Sequence, residues 1–438
     1  MKIKIEKMGI NGEGIGYIDH LPTFVDGTYP KEVAEVEIVR RFERYIVARK
    51  TELHEKSPFR VEAKCPIQDE CGGCAIMTLD VSAQQKEKNQ LIWESLRKYV
   101  RGSIPRIQRI ITNTTPYRYR NQCKFPVVYR DGELQSGMFR PQSNQFVFIE
   151  RCIVHSDLIE QVRLEVMRLA NEHRLHAFNP PKSSGLRYLV VRGFNDEVSV
   201  TLVTGDYTLP KEFVEDVSKI ATVKSISHSI NPQRNSRDVI KGTPKILWGS
   251  KTITATLDEF KFVLSPQSFF QLNVDVAAKI YRKVASLIEP TNVIVEAYCG
   301  VGGMSIYLKD KAKKIIGMDF VGSAIENAKI NAQINQASNV EFLQGDSAET
   351  LKKISKQEKI DVLVVDPPRS GLSDQMLDAI LSADIKKIIY VSCNPSTLGK
   401  NLNVLLPKYK VLEIQPYDMF THTPLIEAVV SLQQREEQ

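Results

Sequence analysis

The sequence predicts an α/β protein. It should have a doubly wound, mainly parallel sheet in its last third, a small β-barrel at its start and a mixed α/β module between them. Three observations predict this. Short apolar, β-branched runs in the last third each stop at an acid, a glycine or a proline, as buried parallel strands do at their carboxyl ends. A Gly-rich turn opens that series. The start of the chain instead alternates apolar and polar residues between turn signals.

Residues 1–57 carry the alternation, with turns at NGEGIG and VDGTYP, and EVAEVEIVRRF and RYIVARKTEL continue it. This predicts a five-stranded barrel. HEKSPFRVEAK reads as a linker into a middle domain over residues 58–255. There Cys65, Cys71 and Cys74 form C-x5-C-x2-C, and two glycines between the last pair leave the backbone free to wrap a metal centre. Three close thiolates and a distant fourth suit an iron–sulfur cluster. A four-cysteine structural zinc is the rival, and C-x2-C alone favours it. Cys123 and Cys299 are expected to be buried thiols. LRYLVVRGF and EVSVTLVTG read as an antiparallel pair. Residues 76–110 are divided between two readings, with part of them packing on the catalytic domain in the second.

Residues 256–438 form the predicted catalytic domain. VIVEAYCGVGGMSIYLKD reads as strand, turn and helix, and Gly300, Gly302 and Gly303 allow a tight turn and close approach to a ligand. KKIIGMDF ends at Asp319, nineteen residues after Gly300, a spacing that suits a ribose hydroxyl pair. The next strands end at Asp346, at Asp366 in VLVVDPPRSG and at Cys393 in IIYVSCNPST. The glycine loop alone is weak, because a dinucleotide enzyme starts the same way. No lysine follows it, which excludes a triphosphate loop. Cys393 lies between Ser392 and Asn394 at the sheet edge and is a candidate nucleophile; the alternative is a buried structural cysteine. The tail QQREEQ is expected to be disordered.

Lys and Arg total 59 against 52 acidic residues, and the surplus is uneven. Residues 97–151 hold 11 basic and 3 acidic residues, interleaved with Tyr99, Tyr117, Tyr119, Phe125, Tyr129 and Phe139. That mixture suits RNA, with cations on phosphates and rings on unpaired bases. The alternative is a solvated strand face with core aromatics. No run approaches the roughly 18 apolar residues of a membrane span. The first residues lack a secretory apolar core, and seven cysteines do not make a secreted disulfide framework. A cytoplasmic, monomeric protein with no membrane partner is expected.

DPPRSGL, SCNPSTL and HTPLIEAVV, with the upstream SPQSFFQLN and CPIQDECGGC, resemble the RNA uracil-C5 methyltransferase family. The N-terminal stretch resembles a TRAM-type RNA-binding barrel, so the resemblance covers essentially the whole chain in the family's order. It implies a Rossmann-like class I sheet and S-adenosylmethionine as cofactor. C5 of uracil is a poor nucleophile, and a thiolate adding to C6 activates it. The resemblance makes Cys393 that thiolate and Glu427 the base that later removes the C5 proton. Without it Glu427 reads as a surface acid.

Gln271, Tyr298, Asp319 and Asp366 take cofactor-site positions by the same resemblance, and Phe269 stacks near the target base. Cys152 becomes the fourth ligand of a [4Fe–4S] cluster with Cys65, Cys71 and Cys74. Some members have Asn at Gly303 and a second His at Leu425, which leaves His422 a structural role. Cluster-bearing members point to 23S rRNA, with a transfer-RNA T-loop uridine as the alternative. An amino-methyltransferase is more distant: DPPR lacks the aromatic expected after DPP, and Cys393 would have no purpose. A non-catalytic RNA-binding or redox-sensing iron–sulfur protein is the remaining class, and intact Cys393, Asp366 and Glu427 speak against it.

Overall fold

The computed structural model describes residues 1–141, 143–233, 236 and 238–436. The chain forms two compact units, residues 1–116 with 351–438, and residues 117–350.

The first unit begins with six strands, Lys2–Lys4, Lys7–Met8, Gly14–Ile18, Leu21–Val25, Val33–Arg41 and Ile46–Glu55. Six strands replace the expected five because the first run is interrupted: Ile5 donates to Glu32 O (2.8 Å) and Glu6 donates to Ile15 O (2.9 Å). Lys2–Lys4 pairs with Val33–Arg41 and Lys7–Met8 pairs with Gly14–Ile18. The two ends of the strand order are therefore neighbouring stretches of one segment, and the sheet curls back on itself. Alternation sends Ile3, Ile5, Ile18, Val25, Val36 and Ile46 into its interior. Gly16 is required there, since a Cβ would stand 2.3 Å from Lys4 O.

Helix Val81–Tyr99 starts at Asp80, whose carboxylate accepts from Ser82 N at 2.9 Å. It packs on helix Pro395–Leu405, where a Cβ on Gly399 would lie 3.0 Å from Ser95 O. The helix thus takes the second of the two readings of residues 76–110. The rest of this unit sets strands Val362–Val365, Lys387–Ser392, Glu427–Gln434 and Tyr409–Tyr417 side by side in that order. The first pair is parallel and the others antiparallel. The tail departs from expectation. Gln433 and Gln434 belong to the last strand, and Arg435 donates to Lys408 O (2.9 Å), because the strand needs its full length to pair Tyr409–Tyr417. Residues 437 and 438 lie outside the described residues.

The second unit contains strands Lys245–Gly249, Val223–Ile230, Glu197–Thr204, Leu186–Phe194, Gln122–Arg130, Glu133–Phe139 and Phe146–Phe148 in that sheet order. The Leu186–Phe194 and Glu197–Thr204 strands pair antiparallel. A hairpin, Ile253–Leu257 with Phe260–Leu264, leads to helix Val274–Ser286. Parallel strands Thr291–Ala297, Ala312–Asp319 and Val340–Gln344 follow, with helices Gly303–Tyr307 and Gly322–Ile334 between them. Cys123 and Cys299 are buried. Among the described residues no helix is long and apolar enough to cross a membrane.

Candidate active site

The antiparallel ladder of the first unit sets its reactive residues. Ser392 pairs with Ala428 at the end of strands Lys387–Ser392 and Glu427–Gln434. The next position on each strand is Cys393 and Glu427, so the register places them opposite each other. Residues in such positions have Cα atoms about 4.5–5.5 Å apart. Val365 pairs with Tyr390 on the other side, and Asp366 follows it directly. One sheet edge therefore gathers the predicted thiol, base and DPPR acid.

Two loops hold that edge. Asn394 caps helix Pro395–Leu405 by accepting from Ser396 N at 3.1 Å, and its Nδ2 donates to Arg369 O at 2.9 Å. Asn401 on the same helix accepts from Leu372 N and from the Tyr390 hydroxyl, both at 2.9 Å. Gly371 turns the loop at φ 79° and donates to Pro368 O at 2.8 Å. Among the described residues no hydrogen bond reaches the carboxyl of Asp366 or Glu427. Burial pushes the Cys393 thiol up to about 12, with Glu427 and Asp366 adding to it and Arg369 opposing. Burial raises Asp366 to about 7. Burial, then Asp366, pushes Glu427 well above the usual carboxyl range. All three groups are thus biased toward their protonated forms.

The turn leading into Glu427 is bolted to helix Val81–Tyr99. Lys88 and Asp418 form a fully buried ion pair at 2.5 Å, and Lys88 Nζ also donates to Phe420 O at 3.1 Å. Gln84 Oε1 accepts from His422 N at 2.9 Å, and Ile76 N donates to His422 O at 3.0 Å. His422 sits at φ 72°, with burial lowering its ring to about 4. Sequence reasoning missed Gln84 and Lys88. The available signal was their place in the buried stripe that continues through Leu91, Ile92 and Leu96.

The second unit carries the predicted cofactor residues. Asp319, at its strand end, accepts from Gly300 N and Val321 N, each at 2.9 Å. The remaining lone pairs of both oxygens are available for ribose hydroxyls. Gly300 has φ 53°, and nothing lies within 4 Å of where its Cβ would be, which leaves an open cradle. Tyr298 beside it takes φ 65°, with burial, then Asp346, raising its hydroxyl to about 12. A left-handed tyrosine next to an open glycine turn and a strand-end acid fits a nucleoside-bearing cofactor. Asp346 instead caps the following turn, accepting from Ala348 N and Glu349 N at 3.0 Å.

The SPQSFFQLN segment is tied down from two sides. Asn327 Nδ2 donates to Ser265 Oγ (3.1 Å) and Ser268 Oγ (2.8 Å). Asn121 donates through Nδ2 to Gln271 O (2.9 Å) and through its main chain to Leu272 O (3.0 Å). Phe270 is buried against Phe194 and Phe262, each with ring centroids 5.5 Å away. Phe269 is 70% exposed, so it is no core residue. Neither asparagine was anticipated. Asn327, Asn331 and Asn335 recur every fourth residue, and that spacing was the missed signal.

A family model described as tRNA (uracil-5-)-methyltransferase matches residues 81–435. The chain belongs to this family. An uncharacterized RNA methyltransferase of Bacillus anthracis is 34% identical, over 98% of this chain and 96% of its own length. Another from Halalkalibacterium halodurans is 35% identical, over 98% and 95%. The crystal structure of the Pyrococcus abyssi tRNA (uracil-54, C5)-methyltransferase, in complex with S-adenosyl-L-homocysteine, superposes with a TM-score of 0.79 at 28% identity, covering 99% of this chain and 100% of that one. The protein is thus an S-adenosylmethionine-dependent RNA methyltransferase.

In this methyltransferase Cys65, Cys71 and Cys74 lie together in the first unit, around the short helix Gln68–Cys71 and the left-handed Gly72 (φ 66°). Burial raises the Cys71 thiol, and Cys65 adds to the shift. Cys152 belongs to the second unit, where its N–H donates to Glu160 Oε2 at 3.0 Å. Thiolates on one zinc stand about 3.8 Å apart, given Zn–S bonds of about 2.3 Å. Among the described residues, the trio of ligand atoms within 4.8 Å of one another is Glu35, Glu52 and His54, all exposed, and no cysteine trio is that close.

Proposed function

We propose that this methyltransferase methylates C5 of a uridine through a covalent Cys393 adduct. The observation that carries this reading is the register that sets Cys393 opposite Glu427 beside Asp366. The Cys393 thiol releases its proton to solvent, the thiolate sulfur bonds to C6, and the C5=C6 electrons move onto C5 and O4. S-adenosylmethionine supplies an electrophilic methyl group on a sulfonium. Glu427, in its ionised form, then takes the C5 proton, the double bond reforms and the sulfur leaves C6 as a thiolate. Asp319, Tyr298, Gln271 and Asp366 hold the cofactor, and the exposed Phe269 stacks on the target base. A positive charge brought beside Cys393 favours its thiolate.

The favoured target is 23S rRNA. A transfer-RNA T-loop uridine is the second reading, supported by the Pyrococcus abyssi similarity over the whole chain. Residues 1–57 act as a TRAM-like RNA-binding barrel, residues 58–255 as an iron–sulfur and RNA-binding domain, and residues 256–438 as the catalytic domain. Cys65, Cys71, Cys74 and Cys152 would hold a [4Fe–4S] cluster. The protein is proposed to act in the cytoplasm as a monomer.

RNA carrying 5-fluorouridine tests the mechanism, because C5 then has no proton to lose. A denaturation-resistant enzyme–RNA band should form with the full chain and S-adenosylmethionine, and absence of the band refutes covalent catalysis. Running the assay with ribosomal and transfer-RNA transcripts separates the two targets. Iron content after anaerobic purification tests the cluster, and zinc without iron would refute it.

A further inference from the structure

A groove in the first unit, with a volume of about 490 Å³, has no part in the reaction described above. Its size is that of a ligand site. Its walls include Lys7, Ile10, Trp93, Arg97, Tyr99 and Ser396. Trp93 is 42% exposed and Ile10 40%, so both present apolar surface to the groove. Cations alternate with the rings. The Arg97 guanidinium lies 5.1 Å over the Trp93 ring, and the Lys98 and Lys400 ammonium groups lie 5.0 and 5.4 Å over Tyr99. The acid in the wall, Glu94, is taken by Lys7 at 3.2 Å. Arg97, Lys98 and Lys400 make no ion pair with a carboxylate among the described residues, so their charge is left for an outside anion.

The chain links the groove to the reactive edge from two sides. Ser396 is three residues past Cys393, and its N–H is fixed by Asn394. At the other end the loop after Ile10 carries Gly12, whose Cβ position lies 3.5 Å from Pro424, three residues before Glu427.

We infer that this groove takes the single-stranded RNA flanking the target uridine, with Trp93 as a stacking platform and Arg97, Lys98 and Lys400 on phosphates. The inference rests on the proposed uridine chemistry for its choice of strand. Rings interleaved with unpaired cations suit a strand whose bases stack while its backbone is neutralised. An acidic peptide would use the cations but leave the Trp93 face idle.

The test uses the full chain in a Trp248→Phe background, which leaves Trp93 as the only tryptophan. A short adenosine–cytidine single strand, with no uridine to methylate, should quench Trp93 fluorescence. By anisotropy of the labelled strand, Trp93→Ala should weaken binding roughly fivefold or more. Arg97→Glu should weaken it and flatten the salt slope by at least about one. Adduct formation at saturating fluorouridine RNA should be unchanged in both variants. No quenching, equal quenching by polyglutamate, or unaltered affinity in both variants would overturn the groove. Quenching without any adduct in the parent protein would overturn the uridine chemistry and leave the groove as an RNA site.

Discussion

The two units hold their acids in opposite ways. In the second unit Asp319 and Asp346 each accept two backbone N–H groups, which fix the carboxylate plane. In the first unit Asp366 and Glu427 accept none among the described residues; burial shifts both toward the protonated form, and Asp366 adds to the shift of Glu427. An acid clamped by main-chain donors orients a ligand. An acid with no clamp and a raised pKa exchanges protons with its surroundings. In the proposed mechanism the contrast separates Asp319, which would orient the cofactor, from Glu427, which would exchange a proton beside the thiol.

The largest expected effect breaks the proton-handling side. Cys393→Ala should abolish methylation and adduct formation while S-adenosylmethionine affinity, measured by calorimetry, stays within a few-fold. Glu427→Gln is nearly isosteric and cannot take the C5 proton. Its turnover should fall by roughly 10²–10⁴, with a denaturation-resistant adduct accumulating on ordinary uridine RNA. Normal turnover in Glu427→Gln would give the base role to another group.

The turn before Glu427 sharpens the same side. Removing Lys88 alone strands a buried Asp418 and costs about 3–5 kcal/mol, whereas replacing both partners by apolar residues is often near neutral. Lys88→Met with Asp418→Leu should therefore fold, yet lose the anchors to Phe420 and Thr421. If the pair positions the base, this double variant accumulates adduct, as Glu427→Gln does, though to a smaller extent. A fold-only role predicts slower methylation with no adduct.

How much of this was legible depends on where each residue lies. Asp319, Asp366 and Cys393 were visible because each ends an apolar strand run, and burial forces such runs to show their polar groups at the edge. Glu427 was visible only as part of a motif: it opens a strand whose next five residues are buried, and nothing local separates it from a surface acid. Gln84, Lys88, Asn121 and Asn327 were hidden because their partners are far along the chain, 338 residues away for Gln84 and His422. The six-strand pairing of the N-terminal sheet was also hidden, since the interruption at Ile5 and Glu6 keeps the alternation and changes only the pairing. The two units cut across sequence-contiguous modules because helix Val81–Tyr99 packs on Pro395–Leu405, a contact no local pattern encodes.

On the orienting side, Asp319→Ala removes the acceptor for two prospective ribose hydroxyls and for the N–H of Gly300. Hydrogen bonds to a charged group contribute about 1.5–3 kcal/mol each. S-adenosylmethionine affinity should fall at least about tenfold, while the fluorouridine adduct, assayed at saturating cofactor, still forms. A variant with full affinity would move the ribose contact elsewhere.

The smallest effect concerns stability and reads the unclamped acids directly. The carboxyl of Asp366 is raised from 3.8 in the unfolded chain to about 7 in the folded protein by burial. Folding then favours the protonated form. The stability this provides is fully present below the unfolded value and is lost as pH rises through the folded one. Above about pH 7 the native state holds a desolvated carboxylate close to Glu427, whose own raised pKa adds to the same trend. Asp366→Asn keeps the shape and cannot ionise. Its melting temperature relative to the parent protein should therefore rise between pH 5 and pH 8. A flat profile for Asp366→Asn relative to the parent across that range would mean that burial does not hold this acid in its protonated form.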